Sequence, residues 1–416
     1  MAPLIKTSTF RAFKNRNYAL FFTGQSISQI GTWMQRTAVS WVIYTLTHSS
    51  FMLGVAIFAQ QFPSFLLSLF GGIVADRHNR YKILLITQTA SMIQAILLAV
   101  LILTGHYVVW EILALSVILG IVNAFDVPAR QPMVHEMIND KEDIANALAL
   151  NSAMVTMASL IGPALSGIVL QQWGAGICFS LNALSFVAVL TSLLLMKLRP
   201  FVPPQTKKKV LVELAEGFAY LKQTPSIGIV ILMITSLSLL VMPYNTILPV
   251  FAATVFKGNA ATYGYISSFI GLGALLGSFY MASRKKGTSL KNILLMSCTI
   301  LGVALICFSH INYFPLAMLF VVAVGFGSLI PMTCCITILQ VEASPNMRGR
   351  AMSYVAMAYF GMLPLGSLLV GIVSQKITAP WAVSCQGIIA LLIVIVFSRY
   401  LIQKPATDQQ PVPDPK

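Results

Sequence analysis

Apolar residues run along this chain in stretches of roughly 20, the length a helix needs to cross a hydrocarbon layer, separated by short polar clusters. The runs place spans near 17–46, 50–75, 83–104, 107–128, 143–172, 175–197, 226–255, 261–283, 292–309, 313–340, 351–375 and 379–402. The predicted fold is an all-α membrane protein of twelve transmembrane helices.

Composition supports the same solvent. Hydrophobic residues make up 57% of the 416 positions and charged residues 9%, against about 25% charged in ordinary soluble domains. The net charge of +15 raises the question of nucleic acid, which the positions of the basic residues answer. All of the 27 Lys and Arg except Arg36, Lys257 and Lys376 fall in alternate loops or at the termini. That is the bias of cytoplasmic loops, so both termini are expected in the cytoplasm of a multi-pass inner-membrane protein. The basic excess then meets anionic membrane lipids and excludes a stripe for DNA phosphates. The six cysteines show no ligand or redox spacing, and no metal or cofactor is expected. Met1 to Asn17 is polar and basic, and the run after it is too long for a signal peptide, so it is read as the first helix.

The longest inner segment, with Pro203, Pro204 and Lys207-Lys208-Lys209, divides the chain. It sets an N-terminal six-helix bundle over 1–197, a cytoplasmic linker over 198–225 with a short amphipathic helix, a C-terminal six-helix bundle over 226–402, and a disordered tail over 403–416. The halves share landmarks in order. Gly162-Pro-Ala-Leu-Ser-Gly167 corresponds to Gly366-Ser-Leu-Leu-Val-Gly371, and Gly54-Val-Ala-Ile-Phe to Gly264-Tyr-Ile-Ser-Ser. Matched offsets point to duplication, with the bundles related by a pseudo-twofold axis.

The most specific motif is Gly72-Ile-Val-Ala-Asp76-Arg77-His78-Asn79-Arg80-Tyr81-Lys82, after the second span. It resembles the signature of the major facilitator superfamily in the loop between helices two and three, with Asn79 standing where that signature has its second glycine. Asp76-type acids in that loop can sit at the positive N-terminal end of another helix. The resemblance implies helix eleven as that partner, with Arg348 and Arg350 beside it, in a latch that closes the cytoplasmic side when the transporter opens outward. Gly72 would let helix two approach a neighbour, and Arg77 and Arg80 would hold the inner face.

Span five carries Ala149, Ala158, Gly162, Pro163, Ser166 and Gly167 at the positions of the superfamily's antiporter motif. Small residues allow close helix contact and Pro163 bends the helix. The resemblance implies export by antiport. A further antiporter motif would place an arginine where this chain has Ser116.

Arg36 is thus the basic residue deep in a span, where a charge must face water or a partner. It is read as an anchor for an acidic or oxygen-rich substrate, on a helix that also carries Gln29. Further candidates for the substrate site are Gln60, Asn123, Asn151, Tyr354, Tyr359, and Tyr244 with Asn245 in the interruption Met242-Pro243-Tyr244-Asn245 of span seven. Asp126 and Glu111 are the intramembrane acids and the candidates for proton coupling. Asp126 opens Asp126-Val-Pro128-Ala-Arg130-Gln131-Pro132, which resembles a segment of the enterobactin-exporter branch of the superfamily. Arg130, Glu136 and Glu342 at inner helix ends are read as gate charges.

The function these residues predict is secondary active export, by alternating access and proton antiport, of a small siderophore-like or drug-like molecule that is oxygen-rich or anionic. The partners are that substrate, protons and lipids, for a protein acting as a monomer. Lysophospholipid flipping is the alternative within transport, and a non-transporting membrane receptor the alternative outside it. No Ser/His/Asp set, Cys/His set or phosphate loop recurs, so no enzyme is expected.

Overall fold

The computed structural model describes residues 10–138, 140–198, 218–284, 288–344 and 347–402. Its helices are α1 (Arg16–Thr47), α2 (Ser50–Arg77), α3 (Arg80–Leu103) and α4 (Val109–Met137), then Lys141–Leu194, which Gly174 divides into α5 and α6. There follow α7 (Pro225–Val255), α8 (Ala260–Ala282), α9 (Leu290–His310), α10 (Phe314–Glu342), α11 (Arg348–Ile377) and α12 (Ala379–Ile402). Counting α5 with α6 as one and leaving α1 aside, 10 helices among the described residues are long and apolar enough to cross a membrane.

Glu142–Leu194 covers 53 residues, about 80 Å if it were straight, against a hydrocarbon layer of about 30 Å. Gly174 stands at φ 82, where only a residue without a side chain is at ease, and the helix breaks there. The gap between the expected spans 143–172 and 175–197 falls on this residue. The fourth span was expected to end at 128, whereas α4 continues to Met137 through Pro128 and Pro132. The run of apolar residues ends before the helical hydrogen bonding does. Asp126, Arg130 and Glu136 therefore share one helix.

The interruption expected in span seven is present. Met242–Ile247 forms a 3-10 turn and Phe251–Val255 a π turn, beside Pro243 and Pro249, which lack the N–H that a regular helix needs. A second π turn, Met357–Gly361 in α11, was not read from the sequence. Pro364 removes the donor that would have bonded the Phe360 carbonyl four residues back.

α1–α6 pack mainly on one another, as do α7–α12, and the two sets meet along two seams, α2 with α11 and α5 with α8. Glycines make both. A Cβ on Gly371 would lie 2.8 Å from the Ser50 carbonyl and 3.4 Å from the Cα of Gly54, and one on Gly167 would lie 2.8 Å from the Ala260 carbonyl and 3.1 Å from the Cα of Gly264. The partner glycines of each repeat turn the other way: Gly162 meets Ile30 and Trp33 of α1, and Gly366 meets Leu239 and Pro243 of α7.

Much of the expected linker, residues 199–217, and the tail 403–416 lie outside the described residues. The described end of the linker docks on the second set, where the Ser344 amide donates to the Tyr220 hydroxyl at 3.1 Å.

Candidate functional site

The seams join only one end of the two helix sets. At that end Ser49 donates to the Gln375 side-chain carbonyl at 2.9 Å, Ser374 bonds Ser50 at 3.1 Å, and Trp41 of α1 stacks on Tyr263 of α8 at 6.1 Å. Along α2 the approach to α11 reaches Phe65, whose ring meets Gly361. Beyond it Leu66, Leu69 and Phe70 of α2 and Met357 and Phe360 of α11 are exposed. The seams are closed at the end holding Ser49 and Gln375, and the helices stand apart at the end holding Asp76 and Arg348.

The expected latch is not formed in this arrangement. The Asp76 side chain is 71% exposed and reaches only Arg80, one turn away at 3.5 Å, among the described ion pairs. Arg77 is exposed, Arg80 bonds Glu136 at 2.7 Å, and Arg348 donates to the Ala343 carbonyl of its own approach loop at 3.1 Å. Arg350 lies against Met347. Gly72 does not make the close approach expected of it: a Cβ there would meet nothing within 4 Å. Gly71 does so instead, against Ala124 of α4, because one residue turns the helix face by about 100°. Glu342 pairs with Lys291 of α9 at 3.3 Å, within its own set of helices.

Asp126 is held from three sides. Its side chain is 4% exposed; Thr87 Oγ1 at 2.9 Å and Gln88 Nε2 at 2.7 Å donate to Oδ1, while an Arg130 nitrogen lies 2.5 Å from Oδ2. Charge-assisted bonds of this kind are the strong ones, and in a buried setting each partner depends on the other. Thr87 and Gln88 were missed as site residues. Their signal was a polar stripe, Thr87, Gln88, Ser91 and Gln94, in an otherwise apolar span. Glu111 is not brought to this group. It is exposed at the start of α4 and accepts from the Val108 amide at 3.0 Å, capping its own helix some 22 Å along the axis from Asp126.

Arg36 is exposed in the midst of α1, between buried Gln35 and Thr37. Its guanidinium lies over the Trp33 ring, 5.3 Å from the centroid, and near enough to Arg130 for the two positive charges to act on one another. None of the described ion pairs involves it. Beside it a buried amide chain fixes α1 to α3 and α6: Asn182 donates to Gln35 at 2.7 Å and Gln35 to Gln94 at 3.0 Å. An arginine exposed on this helix, with no carboxylate partner among the described ion pairs, presents a positive charge.

In α7, Asn245 is the exposed residue in a stretch, 241–252, that is otherwise buried. Tyr244 is buried beside it, its hydroxyl near Ser328, with Tyr359 a near neighbour. Tyr359 packs edge-on to Phe360 in the π turn. Tyr354 lies instead against Phe218, the described end of the linker, at 6.3 Å. Gln29, Gln60, Asn123 and Asn151 are half-buried, and the Gln60 carbonyl receives the close approach of Gly120. Gly162, Pro163 and Gly167 act as packing surfaces, with Ser166 Oγ donating to the Met34 carbonyl at 2.9 Å.

The fold and these residues belong to a membrane transporter. The transmembrane secretion effector family matches residues 7–414, and the chain belongs to that family, within the major facilitator superfamily. It is 26% identical over 382 residues to the staphyloferrin A transporter of Staphylococcus aureus, covering 91% of this chain and 94% of that one. It is also 26% identical over 394 residues to the enterobactin exporter of Escherichia coli, covering 94% and 93%. Among solved structures, a nucleoside transporter superposes with a TM-score of 0.70 at 16% identity, covering 96% of this chain and all of that one. A POT family transporter superposes at 0.73 with 13% identity, covering 94% and 97%. The structures share the fold. The chain is a multi-pass membrane transporter and not an enzyme.

Proposed function

We propose that this protein is a secondary active exporter of a small, oxygen-rich anion of the siderophore class. In this reading twelve helices cross the inner membrane with both termini in the cytoplasm, and 1–197 and 226–402 form two six-helix bundles related by a pseudo-twofold axis. The seams at Gly54–Gly371 and Gly167–Gly264 then close the outer side, and the separated ends near Asp76 and Arg348 open the cavity to the cytoplasm. Export proceeds by rocking the bundles until Asp76 reaches the start of α11 and the outer seams part.

The observation that carries the substrate class is Arg36, exposed within a span without a described carboxylate partner and within electrostatic reach of Arg130. A guanidinium without a carboxylate partner among the described residues is stabilised by carboxylate or catecholate oxygens. Exposed Asn245 and half-buried Tyr359, both neutral, suit the uncharged oxygens of such a molecule. Relatives named for staphyloferrin A and enterobactin agree with that chemistry.

Asp126 is the group through which a proton enters the cycle. Proton antiport, which the α5 motif favours, requires the substrate and the proton to occupy the cavity in turn.

The test is accumulation of staphyloferrin A and enterobactin in everted membrane vesicles, with the pH gradient and the membrane potential set independently. Energy-dependent accumulation of either is expected. Accumulation of neither, with the protein inserted, contradicts the reading, and movement of a lysophospholipid in their place makes the protein a flippase.

A further inference from the structure

We propose that Trp33 is the positioning residue for Arg36, so that the anion meets a guanidinium already resting on an indole ring. The proposal rests on the anion reading above and deepens it. The Arg36 guanidinium carbon lies 5.3 Å from the centroid of the Trp33 ring. Residues three apart share a helix face, and helical side chains lean toward the N-terminus, so Arg36 reaches back over the turn that Trp33 occupies.

What fixes Trp33 is α5. A Cβ on Gly162 would stand 2.5 Å from the Cβ of Trp33, 3.0 Å from the Ile30 carbonyl oxygen and 3.4 Å from the Met34 amide nitrogen. Because position 162 carries no side chain, the base of the indole side chain rests on the α5 backbone. One turn along α5, Ser166 Oγ donates to the Met34 carbonyl at 2.9 Å, and within α1 Thr37 Oγ1 donates to the Trp33 carbonyl at 3.1 Å. The opposite face of α1 is held through Gln35, which bonds Gln94 of α3 and Asn182 of α6. The backbone beneath Arg36 is thereby tied to three helices, and the freedom that remains is in the arginine side chain itself.

An arginine has many rotamers and loses entropy when a ligand orders it. Resting on a ring, it has lost part of that freedom before the ligand arrives. A ring suits this task because cation–π attraction acts through the charge and the ring face. A carboxylate partner would instead take the N–H donors that an anionic ligand needs. None of the described ion pairs takes them. Gly162 of the antiporter motif thus has a use beyond close packing: it seats the ring, and the ring places the charge.

The experiment is a double-mutant cycle on staphyloferrin A uptake into everted vesicles, with initial rates taken over a range of concentrations for equal inserted amounts of wild type, Trp33→Leu, Arg36→Ala and the double variant. Trp33→Leu should raise KM about two- to fivefold, the worth of a cation–π contact at an exposed site. Its maximal rate should hold within about twofold, because losing a contact made equally in ground and transition states raises KM alone. In the Arg36→Ala background the same change should add nothing, since the ring has no charge left to hold. Trp33→Phe, which keeps an aromatic face, should keep a near wild-type KM. Trp33→Met gives the same test with a longer side chain should Trp33→Leu fail to insert.

An equal rise in KM with and without Arg36, or a Trp33→Phe protein as impaired as Trp33→Leu, shows a side chain that acts by packing and overturns the proposal while the anion anchor stands. A wild-type KM in Trp33→Leu overturns it equally. A wild-type KM in Arg36→Ala, or no saturable uptake by wild type, overturns the anion reading and the proposal with it.

Discussion

Gly167 and Gly264 face one another across the α5–α8 seam so closely that a Cβ on Gly264 would stand 2.9 Å from the Cα of Gly167. The contact is backbone against backbone, so no rotamer change can open it. Parting this seam requires the helix sets to move as bodies. Gly264→Leu should therefore force α5 and α8 apart, at about 1–3 kcal/mol of overpacking, and bias the protein away from the closed seam. Transport in vesicles should fall about tenfold or more while membrane insertion, read by expression and protease protection, is kept.

Ser50 and Ser374 bond across the second seam at 3.1 Å between hydroxyls, within the side-chain reach of a disulfide. The double variant Ser50→Cys, Ser374→Cys should cross-link on oxidation, stop transport, and recover with reductant. The native cysteines are mostly buried, with Cys385 the exposed one, so a Cys385→Ser background keeps the cross-link specific. Full transport by quantitatively cross-linked protein would show that this seam need not open.

Asp76 is free of α11 in the present arrangement, so Asp76→Asn should leave anion binding to the open cavity unchanged. It should slow turnover several-fold, because the outward-open arrangement loses a charge at a helix N-terminus worth about 0.3–2 kcal/mol. Wild-type transport rates in this variant would remove the latch.

Gln94→Leu removes the acceptor for the buried Gln35 amide and the donor to the Leu115 carbonyl. A buried donor left without a partner costs about 1–3 kcal/mol. A fall in the thermal unfolding midpoint is expected, with a loss of substrate affinity through Arg36, the next residue on the same helix. An unchanged midpoint would show that water replaces the lost bonds.

The spans were legible because lipid demands long apolar runs, and the break at Gly174 was legible because polarity and glycine coincide there. Where α4 ends was not, since the apolar run stopped at 128 while hydrogen bonding ran on to Met137. The seam glycines could be read from Gly54, Gly167, Gly264 and Gly371 because small residues at matched offsets have few other uses in a membrane helix. Which of Gly71 and Gly72 makes contact depends on helix rotation, which no local pattern fixes. For the candidate site, isolated charge drew attention to Arg36 and Asp126. The partners Thr87 and Gln88 are ordinary polar residues whose role comes only from the α3–α4 register. Glu111 was misplaced because an acid at a span's edge looks the same in sequence whether it caps its helix or enters the bilayer.

The central claim, an anion carried outward on an arginine-lined cavity, is tested most directly by initial rates of staphyloferrin A uptake into everted vesicles holding equal amounts of wild type and Arg36→Ala. The account predicts saturable uptake by wild type and a loss of about tenfold or more in Arg36→Ala, as expected for a removed charge-assisted contact worth about 1.5–3 kcal/mol. Equal uptake by the two proteins would contradict it.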